Sequence, residues 1–95
     1  MSHWTFLSNH THVLFLICSD QDLRMRDIAL RVNITERAVQ RIIHELVIDG
    51  YLVVEKEGRR NHYEPQLHKH LRHPLEENIT IGELMEGLRG KPKPK

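Results

Sequence analysis

The sequence lacks a second cysteine, a long apolar run and any sizeable net charge, and each absence excludes something. One cysteine, Cys18, can close no internal disulfide and fits a reducing, cytoplasmic setting. The longest apolar run, Val13-Leu14-Phe15-Leu16-Ile17-Cys18, is far short of the roughly 18–20 residues that cross a bilayer, so no membrane partner is expected. No Lys or Arg precedes that run, so it does not read as a secretory signal. Ile17 is also too large for the small residue expected before a lipid-modified cysteine. Among 95 residues, 14 Lys and Arg face 13 Asp and Glu, a formal charge of +1, so any polyanion must be met by where the charges sit rather than by their sum. No Ser/His/Asp set, glycine-rich phosphate loop or metal-hydrolase motif is present, and no internal repeat is visible. The length suits one domain with a thin core and little room for a water-excluding pocket. An enzyme is not expected, nor a bound cofactor. A thin core does give a second copy of the chain something to contribute, and a homodimer is the natural remedy.

What is present is a sequence of periodic segments. Ser8 or Asn9 can cap a helix running to about Cys18, and the dense apolar content of His12–Ile17 suits a central helix covered on more than one side. Ser19–Asp22 reads as a loop. Met25, Ile28, Ala29 and Val32 recur at helical spacing and define a second helix. Asn33 then suits a sharp turn, because Asn tolerates a left-handed backbone better than any residue except Gly. Thr35 is the expected N-cap of a third helix, Glu36 to about Asp49, which Gly50 ends. On it Val39, Ile42, Ile43 and Leu46 share a sector about 100° wide, leaving Glu36, Arg37, Gln40, Arg41, His44 and Glu45 on the other half. Tyr51–Lys56 has the composition of a strand, 57–61 that of a glycine-centred turn, and His62–Glu64 that of a return strand stopped by Pro65. Further on, Thr80 and Glu83 form a capping box for a last helix, Ile81–Arg89, with Ile79 and Leu84 placed as its hydrophobic staple. Lys91–Lys95, charged and broken by prolines, is expected to be a disordered basic tail.

Helix, helix, tight turn, helix and hairpin is the order of a winged helix-turn-helix, an α+β fold that is mainly helical. The run Leu23-Arg-Met-Arg-Asp-Ile-Ala-Leu-Arg-Val-Asn-Ile-Thr-Glu-Arg-Ala-Val-Gln-Arg-Ile-Ile, then Leu46, Asp49-Gly50-Tyr51-Leu52 and Gly58-Arg-Arg-Asn-His-Tyr63, resembles bacterial and archaeal winged-helix transcription regulators. It is similar to the multiple-antibiotic-resistance (MarR) and arsenic-repressor (ArsR) types. The resemblance covers roughly residues 8–65 and departs from the usual pattern at Asn33, where such turns often carry Gly. It implies a domain at 1–79 with its core at about 8–65, a core-closing or dimerising helix at 80–90, and double-stranded DNA as the partner.

The chemistry of the residues fits that partner directly. Arg37 and Arg41, one turn apart, can reach guanine edges bidentately or hold phosphate, and Gln40 can pair with adenine. His44 lies further along and suits the backbone, while Thr35 offers a hydroxyl beside a helix N-terminus that favours phosphate. Arg59 and Arg60, read as the tip of the hairpin and assisted by Asn61, suit a flanking minor groove or its backbone. Each has a bland counterpart, since a solvated helix face commonly looks like Arg37/Gln40/Arg41 and arginines beside a turn glycine are usually only hydrated. Residues 35–63 carry Arg37, Arg41, Lys56, Arg59 and Arg60 against Glu36, Glu45, Asp49, Glu55 and Glu57. Weak non-specific binding is therefore expected. Two alternatives stand beside this reading. One is a winged helix used for protein–protein contact. The other is a metal- or ligand-responsive regulator using His68, His70 and His73, although no cysteine pair or carboxylate cluster completes a tetrahedral set there and no metal site is expected. Cys18, expected inside the first helix, does not suit a redox sensor. The apolar side of the last helix, Trp4, Phe6 and the Leu67/Leu71/Leu75 set either close a core or make a dimer seam.

Overall fold

The computed structural model describes residues 3–90, so the expected basic tail lies outside the described residues. In chain order the elements are α1 (Asn9–Ser19), α2 (Met25–Val32), α3 (Glu36–Ile48), β1 (Leu52–Glu57), β2 (Arg60–Pro65) and α4 (Ile81–Arg89). Three helices followed by an antiparallel two-stranded hairpin make a winged helix-turn-helix, with a fourth helix after it. The chain divides into two compact units, Met1–Pro65 and Gln66–Lys95, so the boundary drawn from sequence at 79/80 falls inside the second.

In the first unit the core is assembled from the three helices and β1. Val13 and Ile17 of α1, Ile28 of α2, Val39 and Ile42 of α3 and Leu52 of β1 are its most deeply buried large side chains. Each is worth about 1.5–3 kcal/mol relative to an exposed position. The dense apolar run of α1 supplies four buried residues, Val13, Leu14, Leu16 and Ile17, as a central helix requires. Ser8 does occupy its N-cap, but its side chain makes no capping bond; Asn9 is engaged instead with His12 at 3.1 Å. Cys18, near the end of that helix, is half-buried rather than sealed in the core.

Two helix ends determine how α3 is presented. Asn33 adopts φ 66°, ψ 48°, the left-handed conformation, and the Asn33 and Ile34 N–H groups both donate to the Ala29 carbonyl, at 2.9 and 3.0 Å. The turn into α3 is thereby closed on backbone bonds that the last turn of α2 would otherwise leave open. Thr35 then caps α3 by accepting from the Ala38 N–H at 3.0 Å. At the other end Gly50 takes φ 84°, its N–H donates to the Val47 carbonyl at 3.0 Å, and Tyr51 donates to Leu46 at 2.8 Å. This is the Schellman arrangement, with buried Tyr51 and Leu46 as its apolar partners. The helix stops one residue before Asp49, which serves as its C-cap.

In the second unit, residues 66–79 form turns and no helix, despite the four-residue spacing of Leu67, Leu71 and Leu75. Leu75 is almost fully exposed, so that spacing marks no buried face. The segment is tied by an isolated His70–Thr80 bridge and by bonds from Leu71 to Ile79, Ile81 to Lys69 and Gly82 to Leu67. A Cβ on Gly82 would stand 3.2 Å from the Leu67 carbonyl oxygen, a tight contact that would press that backbone back by a few tenths of an ångström. The capping box forms as its spacing implies: Thr80 Oγ1 accepts from the Glu83 N–H, and the Glu83 carboxylate accepts from the Thr80 N–H at 2.9 Å. Ile81 and Met85 of α4 are buried.

Candidate nucleic-acid interface

The four buried residues of α3 define its inner side, and the residues opposite follow from helix geometry. At about 100° per residue, Arg37, Arg41, His44 and Ile48 lie within about 30° of the line opposite the centre of that buried sector. All four are exposed. Arg37 and Arg41 are separated by about 6 Å of helix rise, a reach shared by adjacent base pairs and phosphates. Gln40, also exposed, sits about 70° to one side of the line, and Glu45 about 70° to the other. Thr35 stands at the start of the same helix, its hydroxyl already engaged in the cap.

Glu45 is the acid nearest this stripe, and it is occupied. His10, from the first turn of α1, places Nε2 2.7 Å from its carboxylate. That hydrogen bond is the main cause holding the Glu45 carboxyl below its ordinary value of 4.5, with attraction from His10, Arg41 and His44 added and desolvation opposing. The acid beside Arg41 is thus shared with α1, its strongest partner being His10.

The hairpin places its three candidate residues differently from the sequence expectation. The anticipated turn over 57–61 is tighter: Glu57 pairs with Arg60, leaving only Gly58 and Arg59 as the loop. Gly58 has φ 62°, and the positive φ at the first loop position has the sign pattern of a type II′ turn, whose twist matches the strands. Arg60 and Asn61 therefore belong to β2, and side chains alternate along a strand. Arg60 shares one face with Glu57, Glu55, His62, Val53 and Glu64; Asn61 shares the other with its partner Lys56, and with Tyr63, Val54 and buried Leu52. Only Arg59 is at the tip. The expected pair of tip arginines is split because a two-residue loop leaves no third position.

Sequence reasoning missed two cations. Lys56 faces Asn61 directly across the ladder, a register that can be counted back from a two-residue Gly58-Arg59 loop. Arg24, exposed, is the N-cap residue of α2 and lines an open cleft of about 330 Å³ whose other wall is the hairpin. The signal for Arg24 is three-dimensional, and nothing in its local pattern contains it.

Among the described residues no group of three or more His, Cys, Asp or Glu side chains is arranged to hold a metal ion. His70 Nδ1 is instead within 2.8 Å of the Glu77 carbonyl oxygen, and His73 Nδ1 accepts from the Leu75 N–H. No described helix is long and apolar enough to cross a membrane.

No protein-family model matches the chain, and no curated protein does either. Among solved structures it is similar to the zinc-dependent MarR family transcriptional regulator AdcR in its Zn(II)-bound state. The identity is 28% over 70% of this chain, with a TM-score of 0.52. The chain spans just under half of that structure, 47% of its length. That neighbour is a transcription regulator, and the likeness supports a winged-helix regulator fold.

Proposed function

We propose that this chain is a sequence-specific, double-stranded DNA-binding module of a cytoplasmic transcription regulator. α3 lies in the major groove, with Arg37, Arg41 and Gln40 at base edges and His44 and Thr35 at the backbone. The hairpin approaches flanking DNA through Arg59, with Arg60 and Asn61 on its two faces. The observation that carries the reading is the ridge of Arg37, Arg41 and His44 diametrically opposite the buried side of α3. A helix bolted down on one side and cationic on the other is what a major groove admits. The chain works as a homodimer, so that two copies of α3 meet successive turns about 34–36 Å apart. Trp4 and Phe6, exposed and edge-to-face at 5.0 Å, belong to the dimer seam.

One observation favours a protein-contact module instead. Ile48 continues the outward ridge and is 67% exposed, an apolar end to a polar stripe. Titration of a random-sequence duplex at rising salt separates the two. DNA binding predicts a linear fall of log K with log salt, and a loss from Arg37→Ala and Arg41→Ala of about 1–3 kcal/mol each that depends on duplex sequence. An absence of salt-dependent binding by the intact chain rejects the DNA reading. Light scattering at twice 11.3 kDa supports the dimer.

A further inference from the structure

The cleft beside the hairpin holds a set of charges that the α3 reading leaves unused. One wall is the α1–α2 connection with Asp22 and Arg24; the other is the hairpin with Glu57, Arg60, Asn61 and His62. Among the described residues no ion pair joins Arg24 or Arg60 to Asp22 or Glu57, although Glu57 and Arg60 are cross-strand partners. Two guanidinium groups and two carboxylates thus share one open recess, beside the apolar surface of Leu23, Met25 and Tyr63, without neutralising each other at contact distance. The Asp22 wall is fixed in shape: the Asp22 N–H donates to Asp20 Oδ1 at 3.0 Å and the Leu23 N–H to the Asp20 carbonyl at 3.3 Å.

We infer that this cleft is a second DNA contact, taking one backbone phosphate diester between Arg24 and Arg60, and that Asp22 and Glu57 hold its affinity down. The inference rests on the DNA reading proposed above and adds a contact off α3. Small-molecule pockets enclose most of their ligand, whereas this recess is open and its charged residues come from both walls. Guanidinium groups match the oxygens of a phosphate diester in a planar, bidentate fashion, and its sugar can rest on the apolar part of the lining. The carboxylates give the arrangement its sense. They oppose any phosphate equally, so a diester enters only where α3 already holds the duplex, and the contact contributes register without broad attraction to DNA.

The intact chain is tested with a random duplex and a selected duplex at several salt concentrations, comparing wild type with Arg24→Ala, Asp22→Asn and Glu57→Gln. Removing one phosphate contact lowers the salt slope by about 0.9, so Arg24→Ala loses about threefold less affinity than wild type between about 50 and 200 mM salt. Asp22→Asn and Glu57→Gln, isosteric and at exposed positions, tighten binding to both duplexes alike. Arg24→Lys keeps the slope and so separates lost charge from lost structure. If wild type binds with a salt slope and loses affinity on Arg37→Ala, while Arg24→Ala leaves the slope unchanged, the cleft is no contact and the inference fails with the DNA reading intact. A wild type without salt-dependent binding overturns both. Carboxylate variants that fail to tighten binding overturn the restraint assigned to Asp22 and Glu57.

Discussion

The outer side of α3 and the hairpin are built from the same charges and arrange them oppositely. From Thr35 to Tyr63 five Lys or Arg stand against five Asp or Glu, with no sign in excess. In α3 a period of 3.6 gathers Arg37 and Arg41 onto one line with His44 and sends Glu36 and Glu45 to the flanks. In the hairpin a period of 2 and an antiparallel register put Glu55, Glu57 and Glu64 on one face with Arg60, while Lys56 goes to the other with Asn61. One element segregates its charges into a ridge and the other mixes them into a ribbon. Total charge is blind to the difference, which is why +1 for the whole chain says little about either surface. The ridge suits reading of base edges; the ribbon suits a contact that must stay weak until the ridge is engaged.

The comparison breaks most completely if the shared support is removed. Ile42 of α3 and Leu52 of β1 are both almost fully buried, and these elements follow one another through the Gly50 turn. Ile42→Ala is expected to cost about 2–5 kcal/mol in urea unfolding, ridge and ribbon failing together. A loss below about 1 kcal/mol would mean that α3 is not anchored as described. A smaller effect is expected at the turn that aims the ridge. Asn33→Ala forces a Cβ-bearing residue with no local hydrogen-bonding side chain into φ 66° and should cost about 1–2 kcal/mol, whereas Asn33→Gly should be close to neutral. Equal losses from both would show that the Asn33 side chain, not its backbone conformation, is what matters. Thr35→Ala, which removes the acceptor of the Ala38 N–H, should cost about 1 kcal/mol and leave the hairpin untouched.

These positions also show how far sequence reading reaches. Asn33, Thr35 and Gly50 were legible because turn and cap chemistry is local: each is required by the conformation of its own few residues. The inner face of α3 was legible because burial follows the helical period, and Val39, Ile42, Ile43 and Leu46 are all buried. The hairpin was legible as an element but not in register, since 57–61 contains several loop lengths that would satisfy the same composition. One residue of slip moves every side chain to the opposite face, and with it Arg60 and Asn61. The Arg24 cleft and the His10–Glu45 pair were illegible, because each joins residues far apart in the chain whose local patterns say only that they face solvent.

The last of these gives the smallest and most specific effect, and it bears on how clean the ridge is. Glu45 has a folded-state pKa below 4.5, chiefly because His10 hydrogen-bonds its carboxylate. The sign follows from proton uptake. In the window just below pH 4.5 the unfolded chain binds more protons at this site than the folded one, so stability there rises with pH. The contribution is complete above about pH 4.5 and disappears as pH falls through the folded-state value. Both partners are exposed, so the effect on unfolding is slight and best read at the group itself. Carbon-detected NMR titration of the Glu45 carboxyl should show its midpoint moving up toward 4.5 in His10→Ala. The same variant frees Glu45 to act against Arg41, so DNA affinity should fall a little at low salt and recover at high salt. A Glu45 midpoint that ignores His10 would mean that Arg41 and His44 hold this acid, and the ridge would then be partly neutralised from within.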